Sequence, residues 1–344
     1  MEAQKSFTVA LPRPYLLFLG DITIKGYVKT ALGLLEWMPE LCIGEVALDG
    51  CTVSTGLPRL TPAEAYAKGA RAIVIGAAPV GGVLPRSWDS ILIESLEVGL
   101  DIISGLHSSL SSMPILNAAV ARTGRQFIEV RRPPPNIPIG AGRKRSGQRL
   151  LTMGTDCIVG KKYTAIALAR AFQQRGVDAR FRATGQTGIM IAGEGLPLDA
   201  VPADFMSGAA ETLSPDAPPS HWDVVEGQGS LFHPSYAGLT VGMLHGTQPD
   251  VIVLCHAVGR TQLLGNAAYP VPSLTETIDL ALRLGRLTNP AIRCAGVSLN
   301  TSGLDEAATA ASLAEVEAET GLPAADPIKG GTPFTRLVDA CLMI

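Results

Sequence analysis

The chain has 344 residues and a net charge of −3, from 28 Lys and Arg against 31 Asp and Glu. That length exceeds what one hydrophobic core usually sustains, so two domains are expected, and the near balance of charge argues against a general nucleic-acid binder. No run approaches the roughly eighteen uncharged apolar residues of a membrane span, and no basic stretch leads into an apolar core at the N-terminus, so the chain reads as cytoplasmic, without span or signal peptide.

Hydrophobic residues make up 47% and aromatics only 5%, a surplus of Ala, Val, Ile and Leu that suits buried parallel sheets and is read as favouring a homo-oligomer. The six cysteines form no CxxC pair and no His-Cys cluster, so reduced thiols are expected and no metal.

In chain order, residues 15–19 are an apolar run closed by Gly20-Asp21, and a helix follows over 26–37. Thr61-Pro62-Ala63-Glu64 is a capping box with proline at the first helical position, so a helix starts there and runs to Lys68. Residues 71–76, 100–104 and 126–130 read as strands, with helices over 90–99 and 113–122. Strands alternating with helices imply a parallel sheet with right-handed crossovers, whose ligands bind beyond the carboxyl ends of the strands. Those ends carry Gly20-Asp21, Gly76-Ala77-Ala78-Pro79-Val80-Gly81-Gly82 and Gly105-Leu106-His107. They read as binding loops, with Gly20, Asp21, Ala77, Ala78 and Pro79 as candidate substrate contacts.

Pro133-Pro134-Pro135 and Pro138 exclude helix and favour an extended linker. The expected division is a first domain over 1–132, a basic, proline-rich linker over 133–146 and a second domain over 147–344. Arg143-Lys144-Arg145 is either solvated surface or a contact for an anionic ligand such as the 3′-phosphate of coenzyme A.

Residues 149–153 read as a buried strand, and residues 163–175 as a helix with Ile166, Leu168, Ala169 and Phe172 at apolar spacing. Between them, Gly154-Thr155-Asp156-Cys157-Ile158-Val159-Gly160-Lys161-Lys162 reads as a phosphate-binding loop. Its backbone N–H groups and the following helix N-terminus favour an anion, with Lys161 reaching the outer phosphate. The usual motif continues with Ser or Thr, whose hydroxyl ligates Mg²⁺; here that residue is Lys162, followed by Tyr163. Thr164 comes two positions late, about 200° further round the helix. The anion cradle survives without its metal ligand, so the pyrophosphate of coenzyme A fits at least as well as ATP. Cys157 is either a small residue required by packing or a thiol acidified by the helix N-terminus.

Further strands are expected over 179–185, leading into Gln186-Thr187-Gly188, over 222–230, ending in a glycine loop, over 251–254 and over 294–299. Helices are expected over 201–211, 274–287 and 305–319, which makes a second doubly wound α/β domain. Glu226, at a strand end in Glu226-Gly227-Gln228-Gly229-Ser230, is a candidate base for an ammonium group or else a structural carboxylate. Asp156 either orients the loop or faces the substrate. His221, His233, His245 and His256 lack metal spacing; His233, after the glycine loop, and His256, at a strand end, are the better candidates for general base.

The segments Gly154-Thr155-Asp156-Cys157 with Val159-Gly160-Lys161, Val225-Glu226-Gly227-Gln228-Gly229-Ser230-Leu231 and Gly296-Val297-Ser298-Leu299-Asn300 resemble a dethiobiotin-synthetase-type P-loop domain. With Gly20-Asp21 and Gly76-Ala77-Ala78-Pro79, nearly the whole chain resembles a bacterial and archaeal family that includes D-glutamate N-acetyltransferases. The resemblance implies a Rossmann-like N-terminal domain, a P-loop C-terminal domain and work beside an N-acetyl-D-glutamate racemase in D-glutamate catabolism. Where that family commonly has Thr after Gly-Lys-x, this chain has Tyr163, which weakens nucleotide hydrolysis further.

The activity it implies is acetyl transfer from acetyl-CoA to the amino group of D-glutamate or a related D-amino acid. Gly154, Thr155, Asp156, Cys157, Val159, Gly160, Lys161, Lys162 and Tyr163 would hold coenzyme A. Glu226, His233, His256 or Asp156 would serve the chemistry, and Gly227, Gln228, Gly229 and Ser230 would lie beside the amino acid. The alternatives are a Mg-ATP-dependent ligase or kinase resembling dethiobiotin synthetase, or a nucleotide sensor without turnover.

Overall fold

A computed structural model describes residues 11–77, 84–106 and 108–343; Ala78, Pro79 and His107 of the expected binding loops lie outside the described residues. The chain divides into two compact units, Met1–Arg132 with Gln186–Pro197, and Pro133–Gly185 with Leu198–Ile344.

In the first unit the order is β1 (Tyr15–Phe18), α1 (Lys29–Trp37), β2 (Cys42–Val46), α2 (Pro62–Ala67), β3 (Ala72–Ile75), α3 (Asp89–Glu97), β4 (Asp101–Ser104), α4 (Pro114–Thr123) and β5 (Phe127–Glu129). Among the described residues its strands form one parallel sheet in the order β2-β1-β3-β4-β5. The apolar runs of β1 and β3 are buried along their whole length, as a sheet covered on both faces requires. The capping box forms as its spacing predicts: Glu64 N donates to Thr61 Oγ1 at 3.2 Å, and Thr61 N to Glu64 Oε2 at 2.8 Å. Strand β2 is an addition, hidden in the sequence by Gly44 and by Glu45, a fully buried carboxylate that accepts from Ser54, Thr55 and Arg59.

The rest of the chain runs β6 (Gln148–Gly154), α5 (Lys161–Gln174), β7 (Ala179–Arg182), α6 (Gln186–Ala192), α7 (Met206–Leu213), β8 (Trp222–Val225), α8 (Ala237–Thr247) and β9 (Val251–Ala257). It closes with a hairpin of β10 (Gln262–Leu263) and β11 (Asn266–Pro270), then α9 (Leu274–Gly285), β12 (Arg293–Asn300), α10 (Glu306–Thr320), β13 (Ala324–Ala325) and α11 (Gly331–Leu342). The second unit's described strands form a parallel sheet ordered β13-β12-β9-β6-β8-β7. Leu150, Val224, Val251 and Val253 build its core with Leu168, Phe172 and Trp222, the two rings meeting edge to face at 5.3 Å.

Two expectations change. Gln186-Thr187-Gly188, expected only as the segment that the 179–185 strand leads into, opens helix α6, which packs on α1 in the first unit, with Thr187 Oγ1 3.5 Å from Thr30 Oγ1. The helix expected over 201–211 is a 3-10 turn, Ala203–Phe205, leading into α7, because Pro202 fixes the backbone just before the turn.

Candidate active site

Strand β6 lies between β9 and β8, with Gly154 paired to Cys255 and Leu151 to Val225, so the segments leaving all three carboxyl ends share one edge of the sheet. From Gly154 the backbone turns through Ile158 at φ 54° and Gly160 at φ 103° into α5. The amides of Ile158, Val159, Gly160 and Lys161 donate to no acceptor among the described residues. Converging N–H groups at a helix N-terminus bind anions. A Cβ on Gly154 would stand 2.9 Å from Lys161 Nζ and 2.8 Å from Asp156 O, which is why glycine begins the turn.

The metal hydroxyl is missing in space as well as in sequence. Thr164 is 1% exposed and turned into the sheet, its Oγ1 bonded to Gly160 O at 3.1 Å and Ser298 Oγ at 2.7 Å. Lys162 stands at the usual metal-ligand position, its Nζ 4.5 Å from the Tyr163 ring centroid. Lys161 is buried, its Nζ donating to Asp156 O at 2.8 Å, and burial pushes its pKa down.

Other expected residues brace the loop. Asp156 is fully buried: its Oδ1 accepts from Cys157 N at 2.6 Å, and its Oδ2 from Leu264 N at 2.8 Å and Arg260 Nη1 at 2.9 Å. Arg260 Nη1 also reaches Cys157 O at 2.6 Å. Ser230 Oγ donates to Thr155 O at 2.9 Å, and Gly227 N to Thr152 Oγ1 at 3.0 Å. Any Cβ on Gly227 would fall 1.6 Å from Thr152 O, so glycine is obligatory there.

His233 is 1% exposed. Its Nδ1 accepts from Ser235 N at 3.2 Å, which leaves the ring proton on Nε2, 3.2 Å from Leu264 O. Ligand atoms of Asp156, Cys157 and His233 lie within 4.8 Å of one another, close enough for a metal ion. The imidazole nevertheless spends Nδ1 on Ser235 N and its Nε2 proton on Leu264 O, so it offers a metal no lone pair without giving up a protein hydrogen bond, and three of the carboxylate's acceptor sites are already taken.

Glu226 follows β8 directly and is 5% exposed. Its Oε2 accepts from Thr184 N at 3.0 Å and Gly185 N at 3.1 Å. Burial raises its pKa, while those amides and the Lys162 ammonium pull it back down. Gln228 Nε2 donates to Thr184 Oγ1 at 3.1 Å, on the same side. His256, in β9, meets Thr155 Oγ1 through Nδ1 at 2.9 Å, and burial lowers its pKa, which keeps the ring neutral near pH 7.

The structure therefore brings Glu226, His256, Lys161, Lys162 and Cys157 around one turn. Asp156 and Ser230 hydrogen-bond to the turn itself and Gly227 to Thr152 just before it, while His233 bonds to Ser235 N and Leu264 O. Arg260 and the amides of Thr184 and Gly185 were not legible beforehand. Arg260 sits beyond its strand without a motif, and a backbone amide has no sequence signature.

In the first unit, Gly20 and Ala77 follow the carboxyl ends of β1 and β3. Gly20 adopts φ +61°, and a Cβ there would lie 2.2 Å from the Trp88 ring. Asp21 Oδ1 accepts from Trp88 Nε1 at 2.9 Å, and Ala77 is buried.

A parallel sheet with a phosphate-type loop at its carboxyl edge, joined to a second parallel-sheet unit, defines a two-domain P-loop α/β protein. Residues 138–338 match the P-loop domain of the DUF1611 family, described as a domain of unknown function, and residues 46–133 match its Rossmann-like N-terminal domain. The chain belongs to this family. It is 49% identical over 327 residues to a D-glutamate N-acetyltransferase of Tritonibacter scottomollicae, covering 95% of this chain and 98% of the relative. A protein of the same name from a Pseudoalteromonas species is 45% identical over 318 residues, covering 92% and 96%. The crystal structure of a DUF1611 family protein from Anabaena variabilis superposes with a TM-score of 0.86 at 32% identity, covering 96% of this chain and 100% of the other.

Proposed function

We propose that this chain is an N-acetyltransferase that moves the acetyl group of acetyl-CoA onto the amino nitrogen of D-glutamate, in D-amino-acid breakdown. Similarity over nearly the full length to two proteins of that name supports the reaction class. The observation that carries the chemistry is Glu226, a buried carboxylate with a raised pKa at the mouth of a loop of uncommitted amides. Free cysteines suit a reducing cytoplasm, where acetyl-CoA is available.

In this reading Glu226 removes a proton from the substrate ammonium, the amine attacks the thioester carbonyl, and coenzyme A leaves as the thiol. The amides of residues 158–161, backed by Lys161 and Lys162, hold the oxyanion that develops on the carbonyl. Geometry also bears on how coenzyme A sits. The whole pantetheine arm separates its pyrophosphate from its thioester, and Glu226 borders the loop itself. A loop that serves chemistry at Glu226 therefore receives the thioester end, with the pyrophosphate held elsewhere.

The purified chain should release coenzyme A and form N-acetyl-D-glutamate from D-glutamate and acetyl-CoA, read by thiol titration and chromatography, with L-glutamate and Mg-ATP as parallel arms. Mg-dependent ATP consumption without acetyl transfer would overturn the proposal and favour a ligase or kinase. Against that second reading stand Lys162 at the metal-ligand position and Thr164 turned into the sheet.

A further inference from the structure

We infer that the second unit holds a small monovalent anion, of the size of chloride, at the amino edge of its sheet, where Arg145, Thr247 and Gln248 meet. This site is independent of the acetyltransferase reading, and neither falls with the other.

The basic run Arg143-Lys144-Arg145 precedes β6 and so lies at the edge of the sheet opposite the phosphate loop. Two of its charges are matched there: Arg143 pairs with Asp216, and Lys144 Nζ lies 2.9 Å from Asp250 Oδ1. Arg145 is neither solvated surface nor a contact for coenzyme A at the loop. It is 6% exposed and forms no ion pair among the described residues. The three carboxylates whose fields reach it are bound elsewhere. Glu211 accepts from the amides of Ala141 and Gly142, each at 2.9 Å, and Asp216 serves Arg143 and Ser146 N. Asp223 accepts from Arg182 Nε and Ser214 Oγ, each at 2.6 Å. Burial and the neighbouring Arg149 push the Arg145 guanidinium down to about 10, which still leaves it charged near pH 7.

Arg149 shows how this fold saturates a buried guanidinium. Its Nε donates to Ser214 Oγ at 2.8 Å, and Nη1 and Nη2 are shared among the carbonyls of Arg145, Ser146, Gly147, Ser214 and Pro215. Arg145 commits only Nη2, to Gly246 O at 2.6 Å and Thr247 O at 2.9 Å, in the last turn of α8. Its Nε and Nη1 are buried and donate to no acceptor among the described residues. Thr247 Oγ1, on the residue that Arg145 grips, and Nε2 and Oε1 of Gln248, on the next, are likewise buried and unbonded.

Buried polar atoms ordinarily have partners, so five in one corner call for a ligand. Four of the five can donate, and the corner carries an unmatched positive charge. Water accepts only two hydrogen bonds and brings no charge, whereas a halide accepts several and neutralises the guanidinium. Nε and Nη1 diverge on the planar group, so the anion takes one of them together with Thr247 Oγ1 and Gln248 Nε2, and an ordered water takes the other.

The full chain is melted at constant ionic strength while sodium gluconate, whose anion is too large to enter, is replaced stepwise by sodium chloride. The transition should rise saturably, by about 4 °C once chloride reaches about a hundred times its dissociation constant. Crystals grown with sodium bromide should show an anomalous-scattering peak within hydrogen-bond reach of Arg145. Gln248→Glu keeps the size of the side chain and sets a carboxylate beside the guanidinium. It should melt at or above the parent in gluconate and lose the response to chloride. Arg145→Met should lose both the response and the bromide peak; if it does not fold, Gln248→Glu and the bromide peak decide.

A bromide peak beside Arg145 with no rise in chloride marks an adventitious ion only and overturns the inference. Equal melting in gluconate and chloride with water alone at Arg145 overturns it too. So does a Gln248→Glu chain that still responds to chloride as the parent does. None of these outcomes bears on acetyl transfer, which is measured separately.

Discussion

Burial disfavours a charge on Glu226, and that cost has consequences for rate and for stability. As a base it works only when ionised, so kcat/KM should fall on the acid side, with the limb displaced above the ordinary carboxylate range because burial raises its pKa. Glu226→Gln keeps an acceptor for the Thr184 and Gly185 amides yet cannot take a proton; kcat should drop about a hundredfold or more, with KM for the amino acid little changed and the acid limb lost. Stability moves the other way. Folding makes this carboxyl hold its proton more tightly, so stability falls as pH rises from the unfolded value through the raised folded one. Glu226→Gln should therefore melt above the parent near about pH 8, and the gap should close near about pH 4, where both are neutral, as read by differential scanning calorimetry.

The loop from Gly154 to α5 keeps its shape through partners distant in sequence, chiefly Asp156 with Arg260. Arg260→Ala would leave a fully buried carboxylate without its countercharge and should cost about 3 kcal/mol in urea unfolding, whereas Asp156→Asn with Arg260→Ala should recover part of that loss. A cost below about 0.5 kcal/mol would mean that solvent reaches Asp156. The same contrast explains what could be read beforehand. The strand, the glycine turn and the helix of the phosphate loop are contiguous, as is the Thr61 capping box, and contiguous chemistry is visible in a sequence. Strand β2 was hidden by its buried Glu45, and α8, whose residues 237–247 run from Ala and Gly to Met and Leu, has apolar side chains all round rather than on one face. Among the candidate site residues, Glu226 and the loop lysines announce themselves by motif. The commitment of Asp156 and His233 to protein hydrogen bonds does not, because their partners, Leu264 and Arg260, come from the segment around the β10 hairpin.

At the scale of the molecule, the chain passes between the two units after residues 132, 185 and 197, so neither unit is one continuous stretch. Helix α6 leaves the second unit's sequence to complete the first. It packs on α1, where Thr30, Ala31 and Leu34 are buried, and its Gln186 side chain fills the space that any Cβ on Gly105 would need, 2.0 Å from Oε1. A fragment of residues 1–132 therefore carries the strands of the first sheet but lacks part of the cover of α1. Unpaired apolar surface of that kind loosens packing before it unravels the backbone. The fragment should bind a hydrophobic dye and melt over a broad range, while the same fragment fused through a flexible linker to residues 186–197 should bind less dye and melt cooperatively. Calorimetry with dye fluorescence checks this. If residues 1–132 alone melt as sharply as the fusion, α6 is an ornament on a self-sufficient domain, and the first unit can be studied and exchanged by itself. If the fusion is required, the segment that follows β7 ties the folding of the first unit to that of the phosphate-loop unit.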